Sequence, residues 1–153
     1  MTQRLVVDTS VAVKWIRQEE VLADRALALL QSYLDGWRQI SVPTLLGYEI
    51  ANVLRYKNDL TTAQVETAIQ ALFDLRFEWI APLPATMRRA VVIARDHDTS
   101  VYDAAFAALA ESVGATFVTA DERLVRRLAP LPYVAFLGDG EPPRGPNPSM
   151  SGR

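Results

Sequence analysis

The chain has 153 residues, half of them hydrophobic and 22% charged, which is the composition of one ordinary globular domain and excludes a disordered or fibrous protein. Sixteen basic and eighteen acidic side chains leave a net charge of −2, which argues against gripping nucleic acid by bulk positive charge but allows a nucleic-acid enzyme with a metal and a local basic rim. With no cysteine and a single histidine, His97, the chain cannot form disulfides, thiolate nucleophiles, Cys-ligated metal centres or two-histidine sites.

The first element is a strand at 5–7, Leu5-Val6-Val7, a continuous apolar run suited to burial on both faces of a parallel sheet. Asp8-Thr9-Ser10 follows, and Ser10 is the expected N-cap of a helix from 11 to 16. A second helix fits 20–35, with Leu22, Ala26, Leu29, Leu30 and Tyr33 on one face and Gly36 as its stop. A strand at 39–42 is closed by Pro43. Helices follow at 44–56 and 61–75, the first with Leu45, Leu46, Ile50, Val53 and Leu54 spaced three or four apart. A strand at 77–80, a helix at 85–96 and an Ala-rich helix at 101–113, stopped by Gly114, come next. The pattern ends with a strand at 115–119, a helix at 121–128 and a strand at 133–137. The domain is therefore expected to span 1–137. The remaining 138–153 hold four of the nine prolines and four of the seven glycines and are expected to form a disordered tail. Strands alternating with helices imply an α/β fold, a parallel sheet with right-handed crossovers and helices on both faces.

No apolar run approaches the ~20 residues that span a bilayer. Residues 1–17 do not read as a signal peptide, because Asp8 interrupts the apolar stretch and Lys14 and Arg17 come after it. A soluble, cytoplasmic protein with no membrane contact is the expectation. His97-Asp98 resembles the metal-binding dipeptide of some phosphohydrolases, but those need further histidines, and His97 is read as a polar residue near a helix end.

Four acids stand out. In a parallel sheet, ligands bind beyond the carboxyl ends of the strands, at a topological switch point. Asp8 and Asp121 sit at such ends, although each alone suits a turn or a first helical turn. Glu49 falls four residues after Leu45 and four before Val53, so it borders the apolar stripe of its helix. There it either reaches water at the core's rim or meets a cation, since burying an unpaired carboxylate costs several kcal/mol. Ser100-x-x-Asp103 has the form of a capping box, yet the segment around Asp103 is nearly free of polar residues and points it into a confined space. If the four converge, each like-charged pair at ~4 Å and an effective dielectric of ~20 costs about 4 kcal/mol. Protons or a cation must then compensate. Oxygen ligands without nearby histidine or cysteine select Mg²⁺ or Mn²⁺ over Zn²⁺.

Asp8-Thr9-Ser10 after the first strand, Glu49 in the next-but-one helix, Tyr102-Asp103-Ala104 opening the Ala-rich helix and Thr119-Ala120-Asp121 after a later strand together resemble a PIN domain, in particular the VapC ribonuclease toxins. The resemblance covers 5–137. It implies a three-layer α/β/α sandwich with a parallel sheet ordered 3-2-1-4-5. It implies Asp8, Glu49, Asp103 and Asp121 as the catalytic, Mg²⁺- or Mn²⁺-binding acids, with Asp8 and Asp103 the principal ligands. Ser10 and Thr119 would orient them. The implied reaction is endonucleolytic cleavage of RNA by a metal-activated water, leaving a 5′-phosphate and a 3′-hydroxyl. The implied partners are RNA, a second copy in a homodimer, and a VapB-type antitoxin wrapping the helices at 20–35, 44–56 and 61–75. Lys14, Arg17, Arg55, Tyr102 and Arg123 are the foremost candidates for touching RNA, with Lys57, Arg88, Arg89 and Arg95 as further rim cations, most of them expected to be solvated helix faces. Trp15 could stack on a base, with packing its expected role.

Other classes stay in view. A receiver-like signalling domain also has an acidic Mg²⁺ pocket, but here the first strand ends in one acid rather than a pair, and no lysine lies in 129–137. A haloacid-dehalogenase-type phosphatase would need an aspartate where Ser10 stands. A catalytically silent PIN scaffold is disfavoured by the presence of all four acids.

Overall fold

The computed structural model describes residues 2–139. Its strands are β1 (Gln3–Val7), β2 (Arg38–Pro43), β3 (Glu78–Ile80), β4 (Thr116–Thr119) and β5 (Val134–Phe136). The helices are α1 (Thr9–Ile16), α2 (Ala23–Leu34), α3 (Leu45–Arg55), α4 (Thr62–Asp74), α5 (Pro84–His97), α6 (Val101–Val113) and α7 (Glu122–Arg127). Every strand pair is parallel, in the order β3-β2-β1-β4-β5. This is the expected 3-2-1-4-5 sheet of an α/β/α sandwich. It also removes the receiver-like alternative, whose order is 2-1-3-4-5.

The reason for this arrangement is legible in the residues. Leu5, Val6 and Val7 are wholly inaccessible, as a strand covered on both faces must be. In α6, Ala104, Ala107, Ala108 and Ala110 are buried, and their small side chains let the helix lie close across β1, β2 and β4. Phe106 fills the space left and stacks on Phe117 of β4, with ring centroids 6.1 Å apart. Because the chain leaves β1 toward β2 on one side and returns through β4 on the other, the sheet switches direction between β1 and β4. The carboxyl ends of these two strands are where the site lies.

Several expectations shift by one to three residues, and two shifts have clear causes. The N-cap of α1 is Asp8, not Ser10: the Asp8 side chain accepts from the Val11 amide, and the helix begins at Thr9. The second helix begins at Ala23 rather than 20, because Leu22 takes a left-handed conformation with φ of 68°. Trp15 is buried in the core, its Nε1 donating to the Ala26 carbonyl at 2.8 Å and its ring tilted against Phe77. His97 is the last residue of α5, as read. The proposed tail lies outside the described residues from 140 onward. Gly138 and Asp139 continue from Leu137 in a single 3-10 turn, and the Gly138 carbonyl accepts from Arg25 at 2.5 Å. Among the described residues no helix is long and apolar enough to cross a membrane.

Helix α4 carries a complete capping box: Thr61 Oγ1 accepts from the Gln64 amide at 3.2 Å, and Gln64 Oε1 accepts from the Thr61 amide at 2.8 Å. Thr61→Ala should lower the unfolding free energy by about 1 kcal/mol, read from denaturant melts.

Candidate functional site

Two hydroxyls stitch the end of β1 to the end of β4. Ser10 Oγ donates to Asp8 Oδ1 at 2.5 Å, and Thr119 Oγ1 donates to Asp8 Oδ2 at 2.6 Å. The same oxygens accept in turn: Ser10 Oγ from the Ala120 amide at 2.9 Å, Thr119 Oγ1 from the Asp121 amide at 3.1 Å. Asp8, 7% exposed, is thus held through both carboxylate oxygens. Asp121 uses Oδ1 to cap α7, accepting from the Arg123 and Leu124 amides at 3.0 and 3.2 Å. The cap accounts for one oxygen and, among the described residues, leaves the other without a hydrogen-bond donor.

Glu49 enters from α3, half-buried, with Thr9 Oγ1 donating to its Oε1 at 2.7 Å. Asp103 enters from the first turn of α6, where Ser100 Oγ caps its amide at 3.0 Å. All four acids line one cleft of about 280 Å³, together with Thr9, Ser10, Asn52 and Val53. The cap at Asp103 and its place on the cleft are therefore compatible: the backbone takes one, the carboxylate the other. Among the described residues, no three acidic, histidine or cysteine side chains are drawn together tightly enough to hold an ion as they stand.

The field inside the cleft is negative. Burial pushes the Asp8 carboxyl up from 3.8 to about 6, against the lowering effect of its three donors, and Asp103 adds repulsion. Burial also raises Glu49, with the Thr9 donor opposing and Asp103 adding repulsion. Asp103 is raised by burial first and then by Asp121, with Ser100 and Arg127 opposing. Asp103 is therefore the acid that feels, or is felt by, each of the other three.

Thr9, Asn52 and Arg127 were not among the expected site residues. Asn52 carried a signal, since it lies one turn beyond Glu49 on the same helix. Arg127 offered none, because its guanidinium is brought in by a hydrogen bond to the Asp98 carbonyl at 2.8 Å, 29 residues away. Of the expected RNA contacts, none of Lys14, Arg17, Arg55, Tyr102 or Arg123 lines the acidic cleft. Lys14 is paired with Glu20 at 3.3 Å, Arg17 with Asp59 at 2.6 Å, and Arg55 lies over the Tyr56 ring. Arg89, further off, pairs with Glu111. Tyr102 lines a separate apolar cleft of about 750 Å³, with Tyr48, Leu83 and Met87. Each tyrosine there is the chain neighbour of an acid in the first cleft.

The donor set fits a hard divalent cation. It comprises four carboxylates, an amide side chain and hydroxyls, with no sulfur, and His97 does not line the cleft. Raised carboxyls facing one another across a confined space are groups that a divalent charge would stabilise in their ionised form.

A family model described as the PIN domain matches residues 5–129. The chain is 28% identical over 135 residues to a protein named Ribonuclease VapC3 from Pyrobaculum aerophilum, spanning 84% of this chain and 97% of that protein. Among solved structures, PAE2754 from Pyrobaculum aerophilum superposes with a TM-score of 0.65 at 18% identity, covering 90% of this chain and 92% of that one. A toxin–antitoxin complex from Klebsiella pneumoniae contains a chain that superposes with a TM-score of 0.64 at 17% identity, covering 87% of this chain and 97% of that one. These two likenesses show the fold.

Proposed function

The chain belongs to the PIN-domain family, and from that membership we propose that it is a metal-dependent endoribonuclease acting as the toxin of a toxin–antitoxin pair. One observation carries the reading: four carboxylates from four separate segments line a single cleft at the switch point of the sheet. The relative named as a ribonuclease supports the same substrate class.

Asp8 and Asp103 would be the principal ligands of Mg²⁺ or Mn²⁺, with Glu49 and Asp121 acting directly or through water. When bound, such an ion lowers the pKa of water and neutralises charge on the phosphate. The protein's own part is to hold the acids. Ser10 and Thr119 fix both oxygens of Asp8, so its carboxylate needs no reordering when substrate arrives. Burial raises the Asp8 carboxyl to about 6, and a cation in the cleft would favour its ionised form. Attack of a water oxygen on phosphorus would break the bond to the 3′ oxygen, the water's proton passing to solvent and the leaving 3′ oxygen taking one up. The products are a 5′-phosphate and a 3′-hydroxyl. No imidazole or thiol lines the cleft to serve as general base.

Partners follow from the same reading. Exposed Tyr48, Leu83, Met87 and Tyr102 on the apolar cleft support a homodimer contact on that face. Leu34 on α2, Tyr56 at the end of α3 and Phe73 on α4 are exposed on the helices expected to meet a VapB-type antitoxin.

The test is cleavage of RNA by the purified protein with EDTA, Mg²⁺ or Mn²⁺, with the 5′ ends mapped by ligation. The expected result is cutting that needs the ion and leaves ligatable 5′-phosphates. Cutting that persists in EDTA, or that leaves 2′,3′-cyclic phosphates, would overturn it.

A further inference from the structure

We propose that Thr9 is a positioning residue: its hydroxyl sets the Glu49 carboxylate so that one oxygen is committed to the protein and the other is presented to the cleft for a divalent cation. The inference rests on the metal-dependent reading above and assigns a role to a side chain outside the four acids.

Thr9 is the first residue of α1, directly after the Asp8 cap. A mid-helix threonine tends to bond the carbonyl one turn back, but at the first helical position no such helical carbonyl exists. The hydroxyl is free to leave its own helix. It donates to Glu49 Oε1 at 2.7 Å, joining α1 to α3 across 40 residues. Both residues line the acidic cleft.

Glu49 depends on this one contact. Asp8 accepts from Ser10, Thr119 and Val11, and Asp121 from two amides. Among the described residues, Thr9 is the only hydrogen-bond donor to the Glu49 carboxylate. A glutamate has three torsions to fix, and an acid held by a single donor loses its orientation when that donor goes. Aspartates placed by strand ends and helix caps have no such dependence.

The experiment is isothermal titration of RNA-free protein with Mn²⁺, for wild type, Thr9→Val, Thr9→Ser, Glu49→Ala and the Thr9→Val/Glu49→Ala double variant, with thermal melts of each. Valine keeps the shape and removes the hydroxyl; serine keeps the hydroxyl. Thr9→Val should weaken Mn²⁺ binding about 10-fold. Thr9→Ser should bind like wild type, and Thr9→Val should add no loss once Glu49 is alanine. If Thr9→Val binds like wild type, if Thr9→Ser loses as much, or if the loss persists without Glu49, the assignment is overturned. Wild-type protein that binds no Mn²⁺ would instead defeat the metal-dependent reading itself, and this inference with it.

Discussion

Asp8→Asn and Asp103→Asn should each reduce RNA cleavage at saturating Mn²⁺ by at least about 100-fold, since losing even a supporting partner of a metal ligand costs ~10–100-fold. The two sites reach this result for different reasons. Asp8 is buried and fixed through both oxygens, so its negative charge is delivered at one place with little freedom. Asp103 is coupled by repulsion to Asp8, Glu49 and Asp121, so it is the acid through which the four share charge. Asp121→Asn should cost less, because asparagine caps α7 as well as aspartate does and one of the carboxylate oxygens is already spent on that cap. Initial rates on a defined RNA, with circular dichroism to show that each variant is folded, check the order. Wild-type rates for Asp8→Asn or Asp103→Asn would remove the acids from the chemistry.

What could be read from the sequence divides along a physical line. The central strands were legible because a strand covered on both faces must be continuously apolar, and Leu5-Val6-Val7 and Phe117-Val118 are. The acids were legible because each interrupts or terminates an apolar pattern, where an uncompensated charge is costly. Features created by partners distant in sequence were hidden. Arg17 looked like a free rim cation, but Asp59, 42 residues on, takes it. Thr9 drew no role of its own in the sequence, but Glu49, 40 residues on, gives its hydroxyl a task. Ser10 looked like a helix cap because it precedes an apolar helix, yet Asp8 takes the cap. The Ser10 hydroxyl instead faces the Asp8 carboxylate, the orienting role that only the family resemblance implied, and the Ala120 amide, a junction that exists only once β1 and β4 are side by side.

The metal-free protein should become less stable, not more, as pH rises from 4 to 7. A buried carboxyl at about 6 in the folded state, against 3.8 in an unfolded chain, binds its proton more tightly when native. Between those values the native state holds more protons than the unfolded one, so raising the pH favours unfolding. The stability that Asp8 contributes is fully present below about pH 4 and is lost as pH passes through about 6. At ~1.4 kcal/mol per pKa unit this amounts to about 3 kcal/mol. Glu49 and Asp103 are raised for the same chief cause and act in the same direction. Asp59 and Glu111, held low by Arg17 and Arg89, act oppositely, but the carboxylate of each pair is open to solvent, which weakens it. Urea midpoints in EDTA at pH 4, 5, 6 and 7 measure the slope. Asp8→Asn should flatten it and should be the more stable protein at pH 7, its gain reduced because the Thr119 hydroxyl then loses a charged acceptor. Saturating Mn²⁺ should reverse the wild-type slope, since on the metal-dependent reading the ion would bind only the ionised carboxylates of the native state. A wild-type protein that gains stability from pH 4 to 7 in EDTA, or an Asp8→Asn variant with an unchanged slope, would show that the charge at the end of β1 is not held at the cost the cleft implies.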